Sequence, residues 1–443
     1  MMTTMIDQIL LIYQEVAPVI RGALDVIHNF TFPVFQVFLI PMIFFSVFFY
    51  LLAVSGIFLK SDKKRYKRRF NWPLITIQIP TFNEPIALRC AKKCLELDYP
   101  EDKLEIVIGD DSNDRNVSNL IDQFANKHKK IKITRRGSNV GFKPGNLNHM
   151  LKYSNGEIIV VFDSDFAPTK NFLKKVIPPF LEDENVACVQ AKWKYLNLKQ
   201  NRVSKLASAA LMVYQNILAV INHKSGVSLL FGSAEAIRKD ILIKLGGWQV
   251  GSLTEDVEFS LRLLKNGYKT VYVSDFEVPS EVPYTLKGYY KQQRRWAYGN
   301  IKAFLGHAKW LLFGRTLSVF QKSTVLLTLL GYLSAPFLII FTLFGMVSFM
   351  TGNPEAIDVV KFFKETAWLF FVNGGFMSAL VITLYREKKL NMIWSVLASS
   401  VTIGFYASFG IMVGIFNAIT GRKMKWTLIE KKGNEDFNEK LLK

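Results

Sequence analysis

Cysteine and histidine are scarce: the 443 residues include three cysteines and five histidines. Cys90, Cys94 and Cys188 form no Cys-x-x-Cys pair, and no histidine stands at ligand spacing beside them. That excludes a disulfide scaffold and a structural zinc site and suits a reducing compartment. Cys90 and Cys94 lie one helical turn apart, the spacing of helix packing. A P-loop is missing too, because no Gly-Lys-Ser/Thr order occurs. There is no internal repeat and no low-complexity tract. Acidic residues are outnumbered, 36 Asp and Glu against 56 Lys and Arg, in a chain that is 50% apolar. A soluble enzyme seldom combines high apolar content with a net charge of +20; a membrane protein with a basic cytoplasmic face does so naturally. Nucleic acid is the rival partner for such charge. The densest basic run argues for the membrane and against nucleic acid, because it abuts an apolar segment.

Residues 1–33 contain an apolar stretch, 8–28, interrupted by Glu15, Arg21 and Asp25. It reads as an amphipathic segment lying on a membrane. Residues 34–59 carry no charge and are long enough to cross the roughly 30 Å hydrocarbon core. The basic run 60–69 follows directly and predicts a cytoplasmic linker over 60–71, with the N-terminus outside. Residues 72–300 alternate short apolar strands (74–79, 104–109, 131–134, 157–162, 186–191 and 269–273) with helical segments. That pattern predicts an α/β domain on a mainly parallel sheet. An interfacial helix is expected over 301–323, then membrane helices over 324–350 and 367–384. Segment 392–418 reads either as a span or as an interfacial, re-entrant helix, because both its flanks are basic. Residues 419–443 form a tail expected in the cytoplasm.

In an open α/β sheet, ligands bind beyond the carboxyl ends of the strands. Three strands carry polar material there. The first runs into Thr81, Asn83 and Glu84, the second into Asp110-Asp111, and the fourth into Asp163-Ser164-Asp165. Two carboxylates on alternate residues suit Mg²⁺ or Mn²⁺ against a diphosphate, although Asp-x-Asp is also common in plain surface turns. Between them, residues 139–150 offer glycines and Lys143, which could meet a phosphate as a mobile point charge or simply project from a loop. Thr254-Glu255-Asp256 opens a short helix, and Thr254 has the residue type of an N-cap. Gln292, Arg295 and Trp296 share one helical face, an indole beside an amide and a guanidinium, which suits a sugar ring and its polar groups.

Asp110-Asp111, Asp163-x-Asp165, Thr254-Glu255-Asp256 and Gln292-x-x-Arg295-Trp296, in that order, resemble the signature of membrane-embedded family 2 glycosyltransferases. The branch resembled contains cellulose synthase, hyaluronan synthase and the cellulose-synthase-like mannan synthases. The resemblance implies a GT-A (Rossmann-like) catalytic domain joined to transmembrane and interfacial helices. It implies inverting, metal-dependent transfer from a UDP- or GDP-sugar to a growing β-linked polysaccharide at the cytoplasmic face of the cell membrane. Asp256 would be the general base, with Thr254 and Glu255 in the same motif. Thr81, Asn83, Glu84, Asp110, Asp111, Lys143, Asp163, Gln292 and Arg295 would hold the donor, and Asp163 with Asp165 the Mg²⁺ or Mn²⁺. Phe231, Gly232, Ser233 and Trp296 would face the acceptor. In the tail, Trp426, Lys431 and Gly433 resemble a gating segment that covers the nucleotide; the alternative is a plain basic tail. Ile429 departs from that pattern, standing where threonine is expected. Two other outcomes stay open: transfer of one or a few sugars to a membrane lipid, and a nucleotide-sugar-binding protein without catalysis. With so few spans, a complete export channel calls for a homo-oligomer or partner subunits.

Overall fold

The computed structural model describes residues 2–58, 71–352 and 359–433. All but the last residue of the expected basic linker, and the end of the tail beyond Gly433, lie outside the described residues. The chain divides into two compact units, residues 1–54 with 333–379 and residues 55–332 with 380–443.

The larger unit is built on a seven-stranded sheet. Its strands are β1 (Ile75–Thr81), β2 (Leu104–Asp110), β3 (Ile131–Thr134), β4 (Ile158–Val161), β5 (Val186–Tyr195), β6 (Glu235–Arg238) and β7 (Lys269–Ser280). The order is β3-β2-β1-β4-β6-β5-β7. Only β6 runs antiparallel to its neighbours β4 and β5; the other pairings are parallel. Helices cover both faces, so the strands read as apolar runs, and every residue of β1 is buried. Alternation then divides the side chains by face. Ile75, Ile77, Ile79, Ile106, Ile108 and Val160 pack on one side with Cys90 and Cys94 of helix Ala87–Leu95. Val107, Ile159 and Val161 pack on the other with Leu147, Trp248 and Phe259. Each large aliphatic side chain so buried stabilises by about 1.5–3 kcal/mol.

Strand β6 has no counterpart in the sequence reading. It is four residues long with a charge at each end, too short and too polar for a strand pattern. Its insertion between β4 and β5 buries Glu235 at 1% exposure. Parallel register sets Thr81 beside Asp110 and Gln78 beside Val161, so β1, β2 and β4 end along one edge. The chain leaves β1 for β2 on one side and takes up β4 on the other, which makes that edge a switch point in strand order.

In the smaller unit, the expected division between an interfacial segment ending at 33 and a span starting at 34 is absent. Met2–Phe58 is one helix that runs through Pro18, Pro33 and Pro41. Two of the three charges that argued for an interfacial segment, Arg21 and Asp25, have partners. Arg21 pairs with Asp25 at 2.7 Å and donates to the carbonyls of Gly352 and Thr351, at the end of helix Ser334–Thr351. Cations suit that negative helix end. Aromatic contacts continue the seam, with Phe35 stacked on Phe341 at 4.8 Å and Gly345 lying under Phe35. Val37, Ile40, Phe44 and Leu51 face outward at 61–69% exposure, as expected of a surface solvated by lipid.

Among the described residues, four helices are long and apolar enough to cross a membrane: Tyr13–Phe58, Arg202–Lys224, Val319–Thr351 and Leu390–Ile419. Arg202–Lys224 is mostly buried inside the larger unit. The expected span 367–384 is divided between helices Val359–Asn373 and Gly375–Arg386. The expected interfacial helix 301–323 is instead the end of helix Leu286–Phe313 and the start of Val319–Leu330. Residues 392–418 end in helix Phe405–Ile419, which lies along Leu286–Phe313. Gly410 admits Tyr290, and Gly414 meets the Arg294 backbone, the small-residue contact that lets helices approach closely.

Candidate functional site

An open cleft lies at the carboxyl edge of the sheet. Its wall includes Thr81, Glu84, Asp111, Lys143, Asp163, Asp165 and Arg295, with Trp426 and Lys431 from the tail. Sequence-distant motifs therefore meet in one place.

The turn after β1 is held by Asn83, at φ 55°. Its amide oxygen accepts from the backbone N–H groups of Asn113 and Asp114, and its own N–H donates to the Ser112 hydroxyl. Asn83 thus ties two strand ends together and does not line the cleft. Glu84 does; it is 8% exposed and accepts from Ser164 at 2.7 Å. Burial, with Asp165 and Asp163 nearby, pushes its carboxyl up to about 7 against the pull of Lys431.

The two neighbouring aspartates diverge. Asp110 points into the protein, accepting from Ser112 N–H at 3.0 Å, Ser118 at 2.7 Å and Arg135 at 2.8 Å. Burial acts to raise its carboxyl, but these bonds outweigh it and hold it below the ordinary range. Asp111 faces the cleft, clamped in bidentate fashion by Arg136. Burial still leaves its carboxyl raised. Arg135 and Arg136 have no place in the sequence reading; their position directly after β3 was the available signal.

Most of residues 139–150, where a loop with an exposed lysine is one expectation, lies in helix Phe142–Leu151 behind Gly141 at φ 73°. Phe142 itself has φ 51°, a conformation rare for a bulky residue. The helix carries Lys143 inward, where its ammonium meets Asp163 Oδ1 at 2.7 Å and Glu255 Oε1 at 3.2 Å. Asp163 keeps 38% side-chain exposure toward the cleft. Asp165 is buried; its Oδ2 accepts from Lys431 at 3.0 Å and from Glu281 N–H at 3.2 Å. Arg89, also absent from the sequence reading, bridges the Asp165 carbonyl and Glu281.

Thr254 occupies the N-cap position of helix Glu255–Lys265, but its side chain makes no capping hydrogen bond. The capping expectation is corrected by packing: Thr254 is turned against Gly299 of helix Leu286–Phe313, where any β-carbon would collide with it. Asp256 is half-buried beside Gly232. Burial and Glu255 push its carboxyl up to about 7, partly offset by Lys143, Val257 N–H and Arg295.

The acceptor group is only partly assembled at this cleft. Phe231 is packed among Trp193, Tyr214 and Tyr272. Ser233 is fully buried; its hydroxyl accepts from Asp163 N–H at 2.9 Å. Of the Gln292-x-x-Arg295-Trp296 face, Arg295 alone lines the cleft. Gln292 Oε1 and Arg295 Nε are buried without a hydrogen-bond partner, while Trp296 lies half-buried on the same helix. The tail crosses the cleft mouth. Trp426 lies 6.1 Å from Phe82 and 6.4 Å from Phe142, and Gly433 N–H donates to Glu281 at 3.1 Å.

Comparison with known proteins places this geometry. The profile described as Glycosyltransferase like family 2 matches residues 73–299, and that described as Cellulose synthase matches residues 237–442. A probable glucomannan 4-beta-mannosyltransferase 7 of Oryza sativa subsp. japonica is 30% identical over 397 residues, 85% of this chain and 65% of its own length. Glucomannan 4-beta-mannosyltransferase 2 of Arabidopsis thaliana is 30% identical over 274 residues, 57% of this chain and 51% of its own. This chain therefore spans less than two thirds of the length of either relative. A mannosyltransferase from Pyrobaculum calidifontis, solved with GDP-Man and Mn²⁺, superposes with a TM-score of 0.60 at 17% identity, covering 84% of this chain and 98% of that one. That likeness bears on the fold, which is GT-A. The first profile takes in every strand-end carboxylate described above and more than half of the chain, and this protein accordingly belongs to glycosyltransferase like family 2.

Proposed function

We propose that this protein is an inverting glycosyltransferase that moves a hexosyl unit, mannosyl from GDP-mannose in the first instance, onto a β-linked polysaccharide at the cytoplasmic face of a membrane. One observation carries the reading. Lys143 bridges Asp163 and Glu255, so the Asp-x-Asp motif and the helix start that carries Asp256 serve one space. The mannosyl donor and the polymer acceptor are supported by the names of the two plant relatives and by the GDP-Man held in the archaeal one.

In the reaction, an acceptor hydroxyl attacks the anomeric carbon from the face opposite the diphosphate. The new carbon–oxygen bond forms as the bond to the diphosphate breaks, and the hydroxyl proton passes to Asp256. A carboxyl near 7 suits that task at neutral pH. One displacement inverts the centre, with no covalent sugar on the protein. Arg295, at the cleft wall, meets the charge developing on the diphosphate. Asp111, paired with Arg136, contacts the nucleoside; Thr81 and Glu84 border the same space.

Among the described residues, no group of three or more His, Cys, Asp or Glu could enclose a metal ion. The Asp163 and Asp165 carboxylates nevertheless fit Mg²⁺ or Mn²⁺, which are commonly bound by one or two carboxylates with substrate phosphates completing the shell. Both already attract cations, the ammonium groups of Lys143 and Lys431. A bound divalent ion would neutralise charge on the leaving diphosphate.

The test uses protein in lipid nanodiscs with Mn²⁺ and labelled GDP-mannose, UDP-glucose or UDP-N-acetylglucosamine in parallel. Labelled polymer that a β-mannanase degrades, lost with EDTA and restored by Mn²⁺ or Mg²⁺, is the expected result. Label confined to the lipid extract would replace the polysaccharide acceptor with a membrane lipid. Nucleotide binding without any transfer would reduce the protein to a binding function.

A further inference from the structure

Segment Leu390–Ile419 is long and apolar enough to cross a membrane, yet both its ends are tied to the larger unit. Just before it, Glu387 accepts from Lys192 of β5 at 2.8 Å, and the same ammonium pairs with Glu277 of β7 at 3.0 Å. The chain then turns through Lys388, at φ 56°. Just after it, Gly421 turns the chain again at φ 73°, and Trp426 already lines the cleft. From Ile419 to Trp426 the fully extended chain reaches about 25 Å. That is less than the roughly 30 Å of hydrocarbon a span must cross, so the end of the segment lies on the side of the cleft.

The middle of the segment agrees with its ends. Val396, Ser399, Ala407, Gly410, Gly414 and Ala418 are buried along it. Gly410 receives Tyr290, and Gly414 meets the Arg294 carbonyl, one residue from Arg295 at the cleft wall. The helix it lies on, Leu286–Phe313, carries six Lys and Arg and no acid. If residues 405–419 crossed the bilayer, those cations would be drawn into hydrocarbon, where charge is costly.

Other residues of the segment are open. Trp394 is 80% exposed, Val401 72%, Phe416 51% and Ile419 64%. Charge identifies what covers them. Residues 388–429 contain no Asp or Glu, and their five cations stand at the two ends, Lys388 and Lys389 at one and Arg422, Lys423 and Lys425 at the other. The Arg422 guanidinium lies over the Phe416 ring, 5.2 Å from its centroid. An apolar surface with cations at both ends suits the acyl boundary beneath anionic headgroups.

We propose that residues 390–419 do not cross the membrane but lie in the plane of its surface, on the side of the cleft, with Trp394, Val401, Phe416 and Ile419 set into the acyl boundary of an anionic leaflet. The segment is then a lipid-docking surface of the larger unit, and it holds in place the helix that brings Arg295 to the cleft. It does so whichever reaction the cleft performs.

Two measurements test this on the full chain. The native cysteines are buried, so single cysteines at the exposed positions Lys388 and Lys423 report sidedness. With a membrane-impermeant maleimide, Lys388→Cys and Lys423→Cys should both label from the same side as Val140→Cys, in intact cells and in inverted vesicles. Labelling of the two from opposite sides would overturn the proposal. The second measurement places spin labels at Trp394→Cys, Val401→Cys and Phe416→Cys in nanodiscs containing phosphatidylglycerol. Their depth is read from relaxation by oxygen and by a water-soluble nickel chelate. A straight helix separates positions 394 and 416 by roughly 33 Å along its axis, so a span would put them in opposite leaflets with 401 between. The expected result is one common depth, about 5–10 Å below the headgroups. A label at 401 near the bilayer centre overturns the proposal, as a span if the ends differ in side and as a re-entrant helix if they do not. Labels reached by nickel but not by oxygen would also overturn it, because the open surface would then meet water or protein instead of lipid. If a labelling variant fails to accumulate in cells, the depths in nanodiscs decide.

Discussion

Asp110 and Asp111 show how little a residue's identity settles. They are adjacent and chemically equal, yet one is consumed by Ser118 and Arg135 while the other faces the cleft on Arg136. Pleating sends successive side chains to opposite sides, and the strand end decides which side is the site. Asp256 is the sharper case. As the proposed base it must be deprotonated to act, and burial with Glu255 pushes its carboxyl up to about 7. Transfer should therefore be weak below about pH 6 and rise through pH 7 to a plateau. Asp256→Asn should remove that limb and lower kcat by a factor of about 10²–10⁴, with nucleotide affinity and circular dichroism unchanged. Near-normal turnover in that variant would dismiss Asp256 as the base. Arg136→Ala should strand a buried carboxylate at Asp111, at a cost of about 3 kcal/mol read by thermal unfolding, and weaken nucleotide binding as well.

At the scale of elements, the chemistry depends on how helices abut. Helix Glu255–Lys265 starts without a side-chain cap and is seated by Thr254 against Gly299. Gly299→Ala would drive a methyl into Thr254, and overpacking of this kind costs about 1–3 kcal/mol. The expected outcome is a lower unfolding temperature together with reduced kcat, because the shifted helix start carries Glu255 and Asp256 with it. Unchanged kcat in a destabilised protein would separate that contact from the reaction. Helix Leu286–Phe313 has its own support in Gly410 and Gly414 of Phe405–Ile419. The segment whose membrane role the sequence leaves open therefore braces the helix that bears Gln292, Arg295 and Trp296.

For the whole molecule, the proposed function places the catalytic unit in the cytoplasm, the side that a basic excess marks. The three native cysteines are buried, so a cysteine placed at Val140, which is 74% exposed, would be the accessible thiol among the described residues. A membrane-impermeant maleimide should label Val140→Cys only after the cell membrane is opened. Labelling of intact cells would reverse the orientation.

The sequence by itself determined what is local. A charge-free stretch over 34–59 declares an apolar helix, six strands declare themselves as apolar runs, and carboxylates at strand ends lie near the site once the strands are parallel. Only the tertiary structure decided what depends on distant partners. It joined Arg21 to Thr351 and Gly352, so that an expected interfacial segment became part of one long helix. It inserted β6, with a buried glutamate that no pattern announces. It brought Gly433 to Glu281 across 152 positions and Lys143 to Gly232 across 89. Hydrogen bonds and ion pairs act over a few ångströms, and no periodicity in a sequence records which remote segment will supply the partner.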